Sequence, residues 1–169
     1  IIVLISIITY FSFGYHIALS SNLFSFFIYD QCLRILQSYE KNLSKVFVND
    51  ASSKLNSRPL PVVGITGSYS KTTTKNILSQ ILEEKNNTFV TPESYNNRLG
   101  IAKAINENFD KDHDIAIIEM GTYSNGEIRE ICSWVRPHIA VITGIGPVHL
   151  ERMKSLENIL DAKSEIVEL

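Results

Sequence analysis

The residues specify an α/β protein: a mainly parallel sheet flanked by helices, with a P-loop-like phosphate site, preceded by a hydrophobic helical segment. Three observations carry this expectation. Short apolar runs, "PVVGIT", "NTFVT", "DIAIIEM" and "HIAVITG", alternate with segments whose apolar residues recur at helical spacing. The runs lack the polar alternation of half-solvated strands, which fits a parallel sheet covered on both faces. The first run leads into "GITGSYSKTTTK", a glycine turn followed by a lysine and hydroxyl residues at a helix start.

Along the chain, residues 1–29 come first and carry no charged side chain; the first is Asp30. At about 1.5 Å per residue this stretch is long enough for a transmembrane or membrane-associated segment, the alternative being a buried helix of a soluble domain. There is no basic leader and no clear small-residue cleavage site, which disfavours a cleaved signal peptide. Arg34, Lys41, Lys45, Lys54 and Arg58 follow, and basic residues there put the downstream part on the cytoplasmic side. Residues 30–60 read as a helix and then a polar linker, "NDASSKLNSRPLP" marking the boundary. A third region, 61–169, holds the alternating strands and helices.

Within that region a helix is expected over Thr72–Glu84, with Ile77, Leu78, Ile81 and Leu82 on one face. A short helix over Ile101–Phe109 turns Ile101, Ala104 and Ile105 inward. Ser124-x-x-Glu127 reads as a capping box, opening a helix with Ile128, Ile131, Cys132 and Val135 on one stripe. From Leu156 a last helix gathers Leu156, Ile159, Leu160, Ile166 and Val167 on one face. Glu157, Asp161, Ser164, Glu165 and Glu168 lie opposite.

Composition excludes some functions. Sixteen basic against 18 acidic residues give no electrostatic case for a nucleic-acid partner. Cys32 and Cys132 are far apart, so neither a disulfide framework nor a zinc knuckle is expected. The chain starts at Ile1 without a methionine and stops within a helical pattern, and it reads as a fragment of a longer protein.

The turn at 64–75 suits phosphate. Backbone N–H groups and a helix N-terminus attract the anion, a lysine adds full charge, and the first threonine can ligate magnesium. These would be Gly67, Lys71 and Thr72, with Ser68, Tyr69, Ser70 and Thr73 completing the cradle. The strict G-x-x-x-x-G-K-[ST] spacing is not met, because Ser70 stands where glycine is expected. A positive φ there would cost serine roughly 1–2 kcal/mol. The competing reading is an ordinary strand-to-helix turn with Thr72 as a cap.

Ligands of open parallel sheets bind beyond the carboxyl ends of the strands. Glu119 ends "DIAIIE" and His149 follows "HIAVIT" in "GIGPVHLE", so both project toward the edge that carries Lys71. Glu119 suits magnesium, the alternative being a solvated strand-end acid. For His149, packing or hydrogen bonding in the loop is the alternative to metal ligation. Lys163 falls in the middle of the apolar stripe of the last helix. An inward lysine snorkels out, pairs with an acid, or loses its proton by desolvation; a neutral lysine can take up carbon dioxide as an anionic carbamate.

With these residues laid out, the chain resembles the Mur ligase family, nearest to the branch that adds D-alanyl-D-alanine to a UDP-muramoyl-tripeptide in bacteria. "GITGSYSKTTTK", "TPESYNNRLGIAKAI" and "AIIEMGTYSNGEIREI…AVITGIGPVHLERMKSLENILDAKSEI" carry the likeness, in the family's order. The resemblance implies a central ATP-binding domain in which Lys71 holds phosphates and Thr72 and Glu119 hold a first Mg2+. His149 and carbamylated Lys163 would hold a second, and Asn96 would line the cleft near the reacting carboxylate, with Asn97 a weaker candidate. The implied reaction is ATP-dependent amide-bond formation in peptidoglycan precursor synthesis. Phosphoryl transfer to a UDP-muramoyl-peptide-like carboxylate gives an acyl phosphate, which an amino acid or dipeptide amine attacks. The resemblance also points to a membrane-tethered variant, because the usual uridine-nucleotide domain ahead of the loop is replaced by the hydrophobic stretch. Ser70 and Gly144, the latter in place of the usual asparagine, depart from the pattern. They motivate an alternative, a catalytically impaired nucleotide-binding or scaffold homologue. A generic phosphate-loop kinase or GTPase is a third reading, opposed by "GPVHLE".

Overall fold

A computed structural model of the chain describes residues 2–93, 95–148 and 150–168. The chain divides into two compact units, Ile1–Leu43 and Ser44–Leu169. In the first, the described residues belong to helix α1 (Ile2–Leu55), where Arg34 pairs with Asp30 one turn earlier at 2.9 Å. The expected membrane segment, 1–29, falls on this part of α1. The expectation gains no support: among the described residues no helix is long and apolar enough to cross a membrane.

The second unit holds the sheet. Its elements are β1 (Val62–Thr66), α2 (Lys71–Glu83), β2 (Thr88–Val90), α3 (Arg98–Asn108) and β3 (Ile115–Glu119). After them come α4 (Glu127–Val135), β4 (Ile139–Ile142), α5 (Leu150–Met153), α6 (Leu156–Ser164) and a 3-10 turn at Glu165–Val167. The strands lie in the order β2-β3-β1-β4 and every pairing is parallel. Val63 stands beside Ile117 and Ile139, and Ile65 beside Glu119 and Val141, so the ends of β1, β3 and β4 reach one edge together.

The four apolar runs are all strands. β1 is buried throughout, as a central strand with helices on both faces must be. β4 departs from the expectation of a fully buried strand. Among the described residues it pairs on one side only, with β1, and Ile139 and Ala140 are exposed. The polar run 49–61, expected as linker, is helical as far as Leu55. Val48, Ala51 and Leu55, spaced i, i+3, i+7 beneath the polar residues, join the main core with Phe109, Ile128 and Trp134. Lys54 donates to the carbonyls of Ile105 and Asn106 at the end of α3, and Asn56 to that of Trp134.

Local chemistry sets the helix ends. Asn97 caps α3 by accepting from the Gly100 N–H, and Ser155 caps α6 by accepting from that of Asn158. α4 stops at Arg136, which takes a left-handed turn (φ 55°) before Pro137, a residue that cannot continue a helix. The expected capping box is only partly present. Glu127 accepts from the backbone N–H groups of Tyr123 and Ser124, but the residue before the helix is Gly126, at φ 91°. Burial pushes the Glu127 carboxyl upward; the bonds from Tyr123, Thr122 and Ser124 outweigh it and hold the group below its ordinary value.

Candidate active site

β1 delivers the chain to the carboxyl edge at Thr66, and Gly67–Ser70 turn it into α2. Gly67 has φ 149°, and a Cβ there would collide with the Thr143 hydroxyl, so the position requires glycine. Ser70 takes the left-handed conformation, φ 61° and ψ 11°, and its side chain makes no capping bond. The strain expected from the sequence is therefore built in. The turn is laced to the segment after β4. The Ser68 N–H donates to Gly144 O (2.7 Å), the Ser68 hydroxyl to Gly146 O (3.0 Å) and the Thr143 hydroxyl to Tyr69 O (2.6 Å). The Tyr69 ring lies over Gly146, in space a side chain would need. At Gly144 a Cβ would sit 3.9 Å from Tyr69, an ordinary contact, so space does not force that glycine.

Lys71 opens α2 and its Nζ donates to Gly67 O at 2.8 Å, folding back across the turn. The Thr74 N–H already reaches Ser70 O. Those of Lys71, Thr72 and Thr73 precede any intrahelical acceptor and form the positive end of the helix.

Beside this turn, Glu119 ends β3 and is 1% exposed, which excludes the solvated-acid alternative. Its Oε2 accepts from the Thr72 hydroxyl at 2.9 Å and lies 3.2 Å from Lys75 Nζ; its Oε1 accepts from Asn96 Nδ2 at 3.0 Å. The Glu119 N–H donates to the Thr91 hydroxyl. Three segments, α2, the end of β3 and the loop between β2 and α3, thus meet at Glu119. A side chain at Gly121 would meet the Asn96 amide, and the Gly121 N–H donates to Asn96 O (2.7 Å).

Lys163 is 3% exposed and lines a small cavity of about 50 Å³ with Gly67, Lys71, Asn96, Gly121 and Tyr123. Burial, and after it the Lys71 cation, lower its pKa to about 8. Among the described residues no carboxylate pairs with it. Snorkelling and acid pairing are therefore not its fate here; the amine is desolvated beside another cation. The stripe around it differs from expectation. Ile159, Ala162, Lys163 and Ile166 are buried, while Leu156, Leu160 and Val167 are exposed. Glu165, expected on the solvent side, is buried and accepts from the N–H groups of Gly126 (2.6 Å) and Arg129 (3.0 Å) at the start of α4.

The residues named from sequence are thus largely brought together. Lys71, Thr72, Glu119, Asn96 and Lys163 surround one edge of the sheet; Ser68 lines the same cavity as Lys71 and Lys163, and with Tyr69 it ties the turn to the segment after β4. Thr73 lies exposed in the first turn of α2. Asn97 is turned away, its side chain spent on capping α3. His149 lies outside the described residues. Among the described residues, no group of three or more His, Cys, Asp or Glu is placed to hold a metal ion. Sequence reasoning missed Lys75. It stands one turn beyond Lys71 and three residues beyond Thr72, spacing that puts all three on neighbouring positions of one helix face. The expected inward face of α2 was displaced accordingly. Lys75 and Ser79 are buried, whereas Ile77 and Ile81 are exposed.

A family model described as the Mur ligase middle domain matches residues 65–169. The UDP-N-acetylmuramoyl-tripeptide–D-alanyl-D-alanine ligase of Synechocystis is 36% identical over 108 residues, covering 64% of this chain and 24% of that protein. The enzyme of the same name from Bacillus subtilis is 32% identical over 138 residues, covering 82% and 28%. Among solved structures, the MurF ligase of Thermotoga maritima in complex with ADP superposes with a TM-score of 0.70 at 34% identity, covering 74% of this chain and 29% of that one. MurF from Acinetobacter baumannii gives 0.69 at 35% identity, covering 73% and 27%. The chain spans about a quarter of the length of these relatives. A phosphate turn, an acid and two lysines gathered at the carboxyl edge of a parallel sheet, and a middle-domain match over that same span, agree: the chain belongs to the Mur ligase family.

Proposed function

We propose that residues 61–169 form the ATP-binding domain of an ATP-dependent, amide-bond-forming ligase of peptidoglycan precursor synthesis. The observation that carries the proposal is the Glu119 carboxylate, gripped by Thr72 of the phosphate helix, with Lys71 and a desolvated Lys163 lining the adjoining cavity. The similarity to a MurF structure holding ADP supports ATP as the nucleotide. The names of the relatives suggest the reactants: a UDP-N-acetylmuramoyl-tripeptide carboxylate and D-alanyl-D-alanine.

In this proposal the free N–H groups at the start of α2 and the Lys71 ammonium bind the phosphates. Thr72 and Glu119 offer a hydroxyl and a carboxylate oxygen, donors that suit Mg2+, and they would hold one ion. When bound, the metal offsets negative charge on phosphate oxygens. Lys163, fully enclosed yet without a counter-ion among the described residues, fits conversion to a carbamate. Its amine is half neutral near pH 8, and the added group turns a cation into an oxygen donor for a second ion, which His149 would share. Asn96, fixed by Glu119 on one side and Gly121 on the other, orients the carboxylate that receives the phosphoryl group. Two anions then meet between fixed cations and dipoles, which is how such transfer is accelerated.

The test uses the intact protein. Phosphate release from ATP is expected only when both the UDP-muramoyl-tripeptide and D-alanyl-D-alanine are present, with an equal amount of amide formed. Turnover supported by an unrelated alcohol would overturn the proposal. Ser70 in its left-handed conformation favours a second reading, an impaired homologue that binds nucleotide. Tight binding of magnesium-ADP without any turnover would select it.

A further inference from the structure

Lys75 is used by none of the steps above, yet it is the most enclosed ionisable group on α2. The residue is 1% exposed, and its ammonium meets partners on two other segments. It lies 3.2 Å from Glu119 Oε2 at the end of β3, and it donates to Glu93 O at 2.6 Å in the loop between β2 and α3. Glu93 is a non-glycine residue at φ 43°, a conformation L-residues disfavour. The same loop carries Asn96, which reaches the other oxygen of Glu119.

We propose that Lys75 is a positioning residue: it ties the phosphate helix, the Glu119 carboxylate and the 91–97 loop into one unit, so that Glu119 and Asn96 meet the phosphoryl group in fixed register. The proposal rests on the ligase reading above and extends it to a residue that touches none of the reactants. The geometry explains why a lysine is required. A buried carboxylate that takes one hydroxyl and one amide still needs a cation beside it, and a carbonyl aimed inward by a strained residue needs a donor. A single ammonium, with three hydrogens on a long stem, satisfies both. Ile77 and Ile81 stay exposed on the same helix, so α2 is rolled to point a lysine inward in place of an isoleucine.

The test compares Lys75→Met and Lys75→Arg in the intact protein with two readouts. Ligation kinetics should show kcat falling about tenfold or more in Lys75→Met, with KM for ATP changed less than about threefold, because displacing reacting groups slows chemistry without removing nucleotide contacts. Lys75→Arg, which keeps donors and charge, should recover part of kcat. Amide hydrogen exchange supplies the second readout. The N–H groups of Tyr95 and Gly121, which hold the Asn96 loop, should exchange about tenfold faster in Lys75→Met. Should that variant not fold, the double variant Lys75→Met/Glu119→Gln removes both charges together, and the same two amides should still lose protection. Unchanged exchange at Tyr95 and Gly121, or an unchanged kcat accompanied only by lower thermal stability, overturns the proposal. If the unsubstituted protein forms no amide, the ligase reading fails separately, and the exchange measurement still decides what Lys75 does.

Discussion

Ser70 shows how a single residue records a departure in physical terms. The backbone at the end of the phosphate turn has φ 61°, where glycine costs nothing and serine costs about 1–2 kcal/mol. The Ser70 side chain recovers none of this through a capping bond. Replacing Ser70 by glycine is therefore expected to stabilise the fold, by about 1 kcal/mol once the greater freedom of the unfolded glycine is subtracted. A shift of the urea midpoint to higher concentration at constant slope checks it, and a lower midpoint would show that the serine has gained a compensating contact. The positive φ was readable from the sequence, because the glycine-lysine pair of phosphate loops marks the position. The role of Asn97 was not, since both asparagines of "SYNN" have the same chemistry and only the start of α3 decides which one becomes its cap.

At the scale of the element, the helices divide into those whose inward face could be read and those whose face could not. α3 and α4 bury Ile101, Ala104 and Ile105, and Ile128, Ile131, Cys132 and Val135, as their spacing implies. In α2 and α6 the apolar stripe was wider than the buried face: α2 is rolled to bring Lys75 inward, whereas in α6 Lys163 stays inward as its place in the stripe implied and the edges of the stripe are exposed. A helix with apolar residues on half its circumference can turn either edge of that stripe toward the sheet at similar hydrophobic gain. Polar partners supplied by other elements then decide. Glu165 is the clearest case. Its carboxylate takes two N–H groups at the start of α4, where Gly126 has no side chain to cap with. Glu165→Ala is expected to cost about 1–2 kcal/mol, the range for losing a helix cap together with its favourable charge. Glu165→Gln should lose less, because it keeps an acceptor. Denaturant unfolding of the three proteins orders them; an alanine variant as stable as the parent would mean that water replaces the carboxylate.

For the molecule as a whole, the consequence of assembling the site is a pH-dependent stability. Lys163 has its pKa lowered from the ordinary 10.5 to about 8, by burial first and by Lys71 second. Between those values the unfolded chain binds the proton and the folded chain does not, so stability rises with pH across that window. Below pH 8 both states are protonated and the folded protein bears the cost of an enclosed cation in full. Lys163→Met is therefore expected to be more stable than the parent at pH 7, by about 1–3 kcal/mol, with the advantage shrinking as pH rises from 8 toward 10.5. Unfolding midpoints at pH 7 and pH 10 measure it, and an equal difference at both would show that Lys163 is not desolvated. A site that destabilises its own fold in this way fits a group kept for chemistry.

The amino-acid order alone settled the alternation of strand and helix, the parallel sense of the sheet and the edge on which Lys71 and Glu119 would meet, because hydrophobic period and strand polarity are local properties. It did not settle which way each helix is rolled, which asparagine faces the acid, or that Lys75 closes the cluster. Those outcomes belong to contacts between residues far apart in the chain: Lys75 reaches Glu119, and Glu165 reaches Gly126, only after the sheet has formed. A buried charge finds its counterpart through packing, and periodicity carries no information about where that counterpart lies.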